Sequence, residues 1–429
     1  MDIQFLYRLF LSSTGVTTDT RNLQKGQLFF ALKGDRFDGN QYAQAAIDAG
    51  CVAAIVDDPQ HASPNDNRYL VANVLPALQE LAAYHRKQMN CKVIGLTGSN
   101  GKTTSKELIR DVLSTTYKTY ATKGNLNNHI GVPLSLLEIK SDHEFAIIEM
   151  GANAQKEIAF LSSLSQPDFG YITNIGKAHL EGFGGEEGVK KGKKELFDQL
   201  RTQGKPVFIN TNDAALMDIS EGMNRILFGS EKHLPLVEYV TQEPFLTFRW
   251  KTDSYQSPDV LTQLKGAYNI SNAAIAIAIG AHFHVSPEHI NIALSSYTPE
   301  NNRSQLKKTD RNELILDAYN ANPTSMEHAL LSFERSDAKM KICILGDMFE
   351  LGESSAHEHK AIVDLAEKLG LKAIFVGSHF RHPALAAQKK WFADTETLKA
   401  HLIEEPLGGY QILIKGSRGM RLEQIVDIL

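Results

Sequence analysis

A glycine-rich segment carries the strongest chemical signal in this chain. It lies between an apolar run, 93–96, that predicts a strand and apolar residues at helical spacing that predict a helix. Its residues are Thr97, Gly98, Ser99, Asn100, Gly101, Lys102, Thr103 and Thr104. A glycine loop at a helix N-terminus turns backbone N–H groups and the positive end of the helix dipole towards an anion. We therefore expect this segment to bind the phosphates of ATP, with Lys102 on the β- and γ-phosphates and the Thr103 hydroxyl on Mg²⁺.

The segment departs from the general phosphate-loop pattern at one position. That pattern, G-x-x-x-x-G-K-[ST], begins with a glycine where this chain has Leu96, so the match is to the shorter form G-x-x-G-K-T. The alternative is a plain glycine turn between a strand and a helix. The sequence Lys-Thr-Thr at the start of the helix favours the phosphate loop.

Two further polar side chains are predicted at the same edge of the sheet. Glu149 ends the apolar run FAIIE, and His179 follows the next predicted strand in the string TNIGKAHLEGFGG. The carboxyl ends of parallel strands meet at one edge, where a carboxylate can hold Mg²⁺ beside the phosphates. Taken singly, Glu149 is equally consistent with a solvated carboxylate, and a lone histidine is usually a polar surface residue. The phosphate loop before them favours metal binding.

In this order the motifs resemble the Mur ligase family, the ATP-dependent amide-bond ligases of peptidoglycan precursor synthesis. The family has a carbamoylated lysine fourteen residues after the histidine, and that position here is Lys193. A bare ammonium is repelled by Mg²⁺, whereas a carbamate made from CO₂ is an anionic oxygen ligand. The resemblance thus implies two Mg²⁺ ions held by Thr103, Glu149, His179 and carbamoylated Lys193. It also implies that Lys102, His179, Lys193 and Arg303 are the catalytic residues.

Matching strings in the first two blocks of the chain imply substrate and adenine contacts. TDTRNLQKGQLFFALKGDRFDG is similar to the family's UDP-binding domain, and GNLNNHIGVPLSL resembles its substrate-facing loop. The implied substrate contacts are Asp19, Thr20, Arg21, Asn127 and Asn128. GAYNISNAAIA resembles the segment that meets the adenine of ATP through Asn269 and Asn272, although Tyr268 replaces the usual histidine. A polar-capped helix start is the alternative for that segment.

The third block adds Arg303 and the strings DAYNANPTSM, LGDMFELG and KGSRGM. The resemblance implies that Arg303 lies near the γ-phosphate and that Asp317, Asn320 and Asn322 face ATP. It also implies that Lys415, Ser417 and Arg418 bind a substrate carboxylate. Good turn and capping chemistry is the alternative interpretation of Asn-Ala-Asn-Pro.

Within the family these strings are most similar to the member that adds a dipeptide. The implied reaction joins D-alanyl-D-alanine to UDP-N-acetylmuramoyl-tripeptide through an acyl phosphate, with ATP becoming ADP. Two rival functions are open: a sister ligase, which would lack the FFALKG and DAYNANP strings, and a nucleotide-dependent switch, which would need no histidine–lysine metal pair. The motifs leave open whether the third residue of the donor is lysine or diaminopimelate.

Alternating β-branched runs and amphipathic helical stretches predict an α/β protein with parallel sheets. We expect three domains, at residues 1–85, 86–298 and 299–429. The central domain should have a phosphate-loop-type, mainly parallel sheet with added antiparallel strands around FLTFRW. The last domain should be Rossmann-like.

Composition limits the class of partner and the compartment. The chain has 45 lysine and arginine residues against 50 aspartate and glutamate residues, a formal charge of −5, which argues against nucleic-acid binding. Its 3 cysteines form no CxxC pair, its N-terminus is a poor secretory signal, and its apolar runs are too short to span a bilayer. We expect a soluble, cytoplasmic monomer.

Overall fold

The computed structural model describes residues 1–300, 303–381 and 390–429. It divides into two compact units, one of residues 1–96, 117–152 and 157–170 and one of residues 97–116, 153–156 and 171–429. The sheets are mainly parallel, with helices between their strands. The predicted α/β class is therefore confirmed.

The first block forms a small parallel sheet with the strand order β1-β2-β5-β6, and β3 and β4 form a separate hairpin. Its elements are α1 (Ile3–Leu11), β1 (Val16–Thr17), β2 (Leu28–Phe30), β3 (Lys33–Gly34), β4 (Phe37–Asp38), α2 (Ala43–Asp48), β5 (Ala53–Val56), β6 (Arg68–Leu70) and α3 (Val74–Gln88). Strands β2 and β5 are buried along their whole length, as expected for parallel strands in an α/β fold.

A buried asparagine connects the hairpin to the end of β5. Asn40 has no exposed surface, and its Nδ2 donates to the carboxylates of Asp38 (2.8 Å) and Asp57 (2.9 Å). Its Oδ1 accepts the N–H groups of Asp57 and Asp58 at 3.0 and 3.3 Å. Lys33, on the hairpin, lies 3.1 Å from Asp57. The polar capacity of Asn40 is thus satisfied inside the fold, and it fixes the position of the hairpin.

The central block forms a sheet of six strands in the order β12-β11-β10-β7-β9-β8, followed by a three-stranded sheet in the order β13-β14-β15. Its elements are β7 (Lys92–Thr97), α4 (Lys102–Ser114), β8 (Thr119–Ala121), α5 (Gly131–Leu137), β9 (Phe145–Glu149), α6 (Glu157–Ser165), β10 (Phe169–Ile172), α7 (Leu180–Phe183), α8 (Glu186–Thr202), β11 (Val207–Asn210), α9 (Ala214–Ile219), β12 (Arg225–Phe228), β13 (Leu236–Thr241), β14 (Thr247–Lys251), β15 (Val260–Leu261), α10 (Ile270–His282) and α11 (Pro287–Ser296). The pairing in the smaller sheet is antiparallel, as FLTFRW predicts.

The third block forms a six-stranded sheet in the order β16-β17-β21-β18-β19-β20, in which only β16 is antiparallel to its neighbour. Its elements are β16 (Gln305–Lys308), β17 (Glu313–Asp317), α12 (Pro323–Glu334), β18 (Lys341–Gly346), α13 (Ser355–Lys368), β19 (Lys372–Val376), β20 (Trp391–Phe392), α14 (Thr395–Glu404) and β21 (Gln411–Lys415). Asp317 and Lys415 therefore end neighbouring parallel strands, so that both lie at the carboxyl edge, where open α/β sheets bind ligands.

None of the helices in the described part of the chain combines the length and apolar character that crossing a bilayer requires.

Within the first unit, His85 of α3 is buried among polar and aromatic neighbours. Its Nε2–H donates to the carbonyl of Ile139 at 2.8 Å, and its Nδ1 accepts from the Tyr7 hydroxyl at 3.3 Å. The ring of Phe10 lies edge-on to it at 5.0 Å. Burial lowers the pKa of the His85 imidazole below its ordinary value, so the ring is neutral in the folded protein.

We expect His85 to make the protein less stable in acid. Because its pKa is lowered by folding, its contribution is fully present above about pH 6.5, the unfolded value, and is lost as the unfolded chain takes up a proton below that pH. His85→Gln keeps a donor for Ile139 but does not titrate. Urea denaturation at pH 7.5 and 5.5 should show a smaller loss of unfolding free energy in His85→Gln than in the wild type; equal losses would contradict the assignment.

Candidate active site

The phosphate loop leaves β7 after Thr97 and enters α4 at Lys102. Gly98 and Gly101 both have positive φ, +145° and +77°. A Cβ on Gly98 would lie 1.9 Å from Thr173 Oγ1, and a Cβ on Gly101 would lie 2.4 Å from Asn272 Oδ1. Both positions therefore require glycine for conformation and for space.

Two residues that follow β10 hold the loop in shape, and sequence reasoning missed both. Asn174 accepts the backbone N–H of Asn100 at 3.1 Å and donates to its carbonyl at 3.0 Å, using the two ends of its amide. The Thr173 hydroxyl donates to the same carbonyl at 2.6 Å. The sequence predicts a strand to Ile175, but β10 ends at Ile172, and the side chains of the next two residues bind this loop.

Lys102 and Thr103, predicted to bind phosphate and metal, are the first two residues of α4. Lys102 Nζ donates to the carbonyls of Gly98 and Ser99, at 2.7 and 3.0 Å, so its ammonium lies against the loop itself. Thr103 is buried in the first turn of α4, and Thr104 follows it. The Ser99 hydroxyl donates to the carbonyl of Gly176 at 3.0 Å and accepts its backbone N–H at 2.9 Å. These two bonds hold the Ser99 side chain against the backbone of Gly176.

The two asparagines predicted to meet adenine connect α4 to α10. Asn269 and Asn272 are buried, and the Asn272 amide donates to Asn269 Oδ1 at 2.8 Å. Asn269 donates in turn to the carbonyl of Lys265, while Asn272 Oδ1 accepts from the Ser105 hydroxyl at 2.9 Å. In this structure the amides therefore hold the phosphate-loop helix against its neighbour. Their contact with adenine stays a prediction.

Tyr268 takes the place of the family's histidine inside the second unit. Its hydroxyl hydrogen-bonds to the hydroxyl of Ser304 at 2.7 Å, and its ring stacks on that of His328 with 6.3 Å between centroids. Burial raises the pKa of the Tyr268 hydroxyl, so the group is neutral. Tyr268 thus connects the central block to the start of the third.

The loop that carries His179 is bonded to two segments of the third block. His179 Nδ1 is hydrogen-bonded to the Glu350 carboxylate, and this bond holds the pKa of Glu350 below its usual value. His179 and Glu350 both have positive φ, 53° and 62°, a conformation that is uncommon outside glycine. Lys177 donates to the buried Glu358 at 2.7 Å, and its backbone N–H donates to the Thr324 hydroxyl at 3.1 Å. No pattern in the sequence indicates this pairing, since it depends on the arrangement of the two blocks.

Helix packing explains the spacing between His179 and Lys193. Phe183, at the end of α7, packs against α8, where a Cβ on Gly192 would lie 2.3 Å from its ring and a Cβ on Gly188 would lie 1.8 Å from its carbonyl oxygen. The two glycines are one helical turn apart and open a groove for Phe183. Lys193 is fully buried beside it, with Nζ 5.1 Å from the centre of the Phe183 ring.

Two arginines share one aromatic ring in the third block. The Arg303 guanidinium lies 3.8 Å from the centre of the Tyr319 ring, and that of Arg418 lies 5.3 Å from it. The structure thus brings together the residue predicted near the γ-phosphate and one predicted to bind a substrate carboxylate. Tyr319 is part of DAYNANP, but its role was not expected from the sequence.

The other third-block candidates are bonded within the protein. Lys415 is buried and pairs with Asp317, whose second oxygen accepts the N–H of Ser304 at 3.3 Å. The buried hydroxyl of Ser417 accepts the N–H of Phe349 at 2.9 Å. Of the predicted carboxylate-binding set, Arg418 alone is exposed. Asn320 is exposed at the strand edge, and Asn322 begins α12.

The first unit contains the remaining candidates. Arg21 forms two side-chain hydrogen bonds with Asp19, at 2.9 and 2.8 Å, and these bonds lower the pKa of Asp19 to about 2. Thr20 lies between them in the chain. Asn127 donates to the buried carboxylate of Glu149 at 2.8 Å, so it orients the predicted metal ligand. Asn128 accepts the backbone N–H groups at the start of α5.

No group of three or more histidine, cysteine, aspartate or glutamate side chains converges as a metal site within residues 1–300, 303–381 and 390–429.

Three family models match consecutive parts of the chain. The model described as "Mur ligase family, catalytic domain" matches residues 12–88, and the Mur ligase middle domain matches 96–280. The model described as "Mur ligase, glutamate ligase domain" matches residues 302–418. Together they span most of the chain in the order of the three predicted domains.

A relative from Bacillus subtilis (strain 168), named UDP-N-acetylmuramoyl-tripeptide--D-alanyl-D-alanine ligase, is 37% identical over 97% of this chain and 93% of its own length. This chain belongs to the Mur ligase family. A relative of the same name from Escherichia coli (strain K12) is 34% identical over 96% of this Mur ligase and 93% of the relative.

A crystal structure of MurF from Acinetobacter baumannii has the same fold as this Mur ligase. It superimposes with a TM-score of 0.85 at 33% identity, covering 99% of this chain and 97% of that structure. The three-domain architecture expected from the sequence is confirmed, and so is the resemblance to this family. The residue numbers of the domain boundaries stay predictions.

We expect Gly98→Ala to lower ligase activity, because the new Cβ has no space and the backbone conformation is unfavourable. A disturbance of 1.4 kcal/mol at the reacting phosphates is a factor of about ten in rate, and we expect at least that loss. Gly15→Ala is the matched control, since Gly15 has φ +143° but no atom within 4 Å of the position that a Cβ would take. The measurement is the rate of ATP-dependent phosphate release by the two variants. Equal losses of rate in Gly98→Ala and Gly15→Ala would contradict a local effect on the loop.

Proposed function

We propose that this Mur ligase joins D-alanyl-D-alanine to UDP-N-acetylmuramoyl-tripeptide and converts ATP to ADP and phosphate. The observation that carries the proposal is the phosphate loop, glycine-dependent and held by Thr173 and Asn174, to which Asn322 of the third block is hydrogen-bonded at 2.8 Å. Two segments that are distant in the chain and are both expected to face ATP therefore meet. The names of the two relatives supply the identity of the substrates.

The reaction needs a carboxylate to become an electrophile. In the proposed mechanism the terminal carboxylate of the tripeptide attacks the γ-phosphate of ATP, giving an acyl phosphate and ADP. The amine of the dipeptide then attacks the acyl carbon, and phosphate leaves from the tetrahedral intermediate. Lys102 and Arg303 neutralise charge on the transferred phosphoryl group, and positioning supplies much of the remaining rate.

The chemistry of the donor set supports a magnesium site. Thr103, Glu149 and a carbamate on Lys193 would supply oxygen ligands, which Mg²⁺ prefers. His179 is the exception, but its Nδ1 bond to Glu350 is the carboxylate–histidine arrangement that orients metal ligands through the other ring nitrogen. Bound Mg²⁺ would neutralise phosphate charge. The hydrogen bond from Asn127 holds the Glu149 carboxylate in a fixed orientation before a metal ion binds.

The two substrates would be held by different parts of the chain. Asp19, Thr20 and Arg21 are proposed to contact the UDP end of the donor, and Asn127 and Asn128 its peptide side. Arg418, exposed beside Tyr319, is proposed to bind the carboxylate of the dipeptide. Lys415 and Ser417 are proposed to support that surface, because both are buried and bonded to neighbouring segments.

We also propose that the enzyme works as a monomer in the cytoplasm, where ATP is available.

The choice of acceptor provides the first test. An acceptor site built to pair the dipeptide's carboxylate and amide leaves its own polar groups unpaired with a shorter acceptor, at about 1–3 kcal/mol each. We expect ATP-dependent phosphate release with UDP-muramoyl-tripeptide and D-alanyl-D-alanine, and at least about tenfold less with D-alanine, L-glutamate or diaminopimelate. Activity with a single amino acid and none with the dipeptide would assign the protein to a sister enzyme.

The carbamate on Lys193 can be tested without turnover. Protein incubated with ¹³C-labelled bicarbonate should show a carbamate carbon signal that is absent from Lys193→Ala and present in Lys191→Ala, whose lysine is exposed on the same helix. Lys193→Ala should be nearly inactive, and acetate should restore part of the rate by supplying the missing oxygen ligand. Normal turnover of Lys193→Ala, or a wild-type enzyme without the signal, would contradict the assignment.

A further inference from the structure

Tyr268 replaces the family's histidine, and its longer side chain makes a contact that depends on that length. The Tyr268 hydroxyl is hydrogen-bonded to the hydroxyl of Ser304 at 2.7 Å. In tyrosine the polar atom lies beyond the ring, whereas in histidine the polar atoms are the ring nitrogens, which lie closer to the backbone. A histidine on the same backbone would therefore not reach Ser304, so the contact belongs to this chain's own sequence.

Two neighbours fix the ring of Tyr268. On one side the ring stacks on His328 of α12, with 6.3 Å between the centroids and 15° between the planes. On another side it lies against Gly266, where an added Cβ would be 2.4 Å from the Cε1 atom of the ring. These contacts set the direction in which the Tyr268 hydroxyl points.

Ser304 has a backbone conformation that needs support. Its φ is +52°, in the left-handed region that is uncommon outside glycine. Its N–H donates to the Asp317 carboxylate at 3.3 Å, and the other oxygen of that carboxylate pairs with the buried Lys415. A conformation of this kind persists only where the surrounding structure holds it. Ser304 is held twice, by its N–H on Asp317 and by its hydroxyl on Tyr268.

Arg303 directly precedes this turn. Its guanidinium lies 3.8 Å from the centre of the Tyr319 ring. The turn at Ser304 sets the direction of the Arg303 backbone, and Tyr319 sets the position of its charged end. A cation that is in place before charge develops on a phosphoryl group stabilises that charge without reorganisation. The support of Ser304 therefore bears on the group that the proposed mechanism uses.

We propose that Tyr268 is a positioning residue for the ligase reaction. By holding Ser304 in its left-handed conformation, it keeps Arg303 against Tyr319, ready for the transferred phosphoryl group. The inference rests on the proposed function, which supplies the role of Arg303. Loss of the Tyr268 hydroxyl is then expected to slow the reaction rather than weaken substrate binding, and to do so only through Arg303.

Three substitutions test the two ends of this contact. Tyr268→Phe removes the hydroxyl and keeps the stacked ring. Ser304→Ala removes the other hydroxyl and keeps the backbone N–H on Asp317. Tyr297→Phe is the matched control, because Tyr297 is also hydrogen-bonded through its hydroxyl, to Glu107 at 2.7 Å, and is buried. It loses a bond of the same kind at a place that does not hold Ser304.

The experiment is steady-state phosphate release by the full chain with ATP, UDP-muramoyl-tripeptide and D-alanyl-D-alanine. We expect Tyr268→Phe and Ser304→Ala each to lower kcat about tenfold, with the KM of ATP and of the dipeptide changed less than about twofold. The double variant should lose no more than either single variant. In an Arg303→Lys background, which keeps the charge but not the planar group, Tyr268→Phe should have no further effect. Tyr297→Phe should keep kcat within about twofold of the wild type.

The outcomes separate this inference from the function on which it rests. Wild-type kcat in Tyr268→Phe, or a loss that persists unchanged in the Arg303→Lys background, would overturn the positioning role and leave the ligase function intact. A higher KM for ATP at unchanged kcat would also overturn it, because Tyr268 would then act in nucleotide binding. A wild type that releases no phosphate from these substrates would overturn both. A loss of kcat that disappears in the Arg303→Lys background, with Tyr297→Phe unaffected, would support the inference.

Discussion

Asn174 holds the backbone of Asn100 through two hydrogen bonds, and the shape of the phosphate loop depends on them. The Asn174 side chain accepts the N–H of Asn100 and donates to its carbonyl, to which the Thr173 hydroxyl also donates. Gly98, two residues before Asn100, and Gly101, directly after it, take positive φ, and helix α4 begins at Lys102. A loop fixed before its ligand arrives needs little reorganisation when charge develops on a phosphate, which is the condition for electrostatic catalysis.

The sequence predicts the fold well because its signals are local. The apolar runs 93–96 and FAIIE become buried strands, and FLTFRW falls in the antiparallel sheet. The glycine loop and the first residues of α4 are also predictable, because the residues expected to bind phosphate are consecutive in the sequence. The family resemblance added Lys193 to the predicted site through its spacing from His179. The physical reason for that spacing is visible only in the packing of α7 against α8.

Contacts between distant segments could not be predicted in this way. Asp317 and Lys415 were assigned to two different ligands, yet the buried Lys415 pairs with the half-buried Asp317 because β17 and β21 are neighbours in the sheet. Asn269 and Asn272 are predicted to contact adenine, and in this structure their amides bond to each other, to Lys265 and to Ser105 of α4. In each case the residue type indicates a polar partner, but only the strand order and helix packing show which partner is nearest.

Gly188 and Gly192 leave a groove on α8 for Phe183. This packing constrains the number of residues between His179 and Lys193. Each residue advances a helix by about 100°, so one residue inserted between Glu186 and Lys193 would turn the lysine about a quarter of the way round the axis and carry it out of its buried position. An insertion before Gly192 would also move that glycine away from the Phe183 ring. The count of residues from the histidine to the lysine is therefore set by helical phase, and insertions are expected to be tolerated in other loops before they are tolerated here.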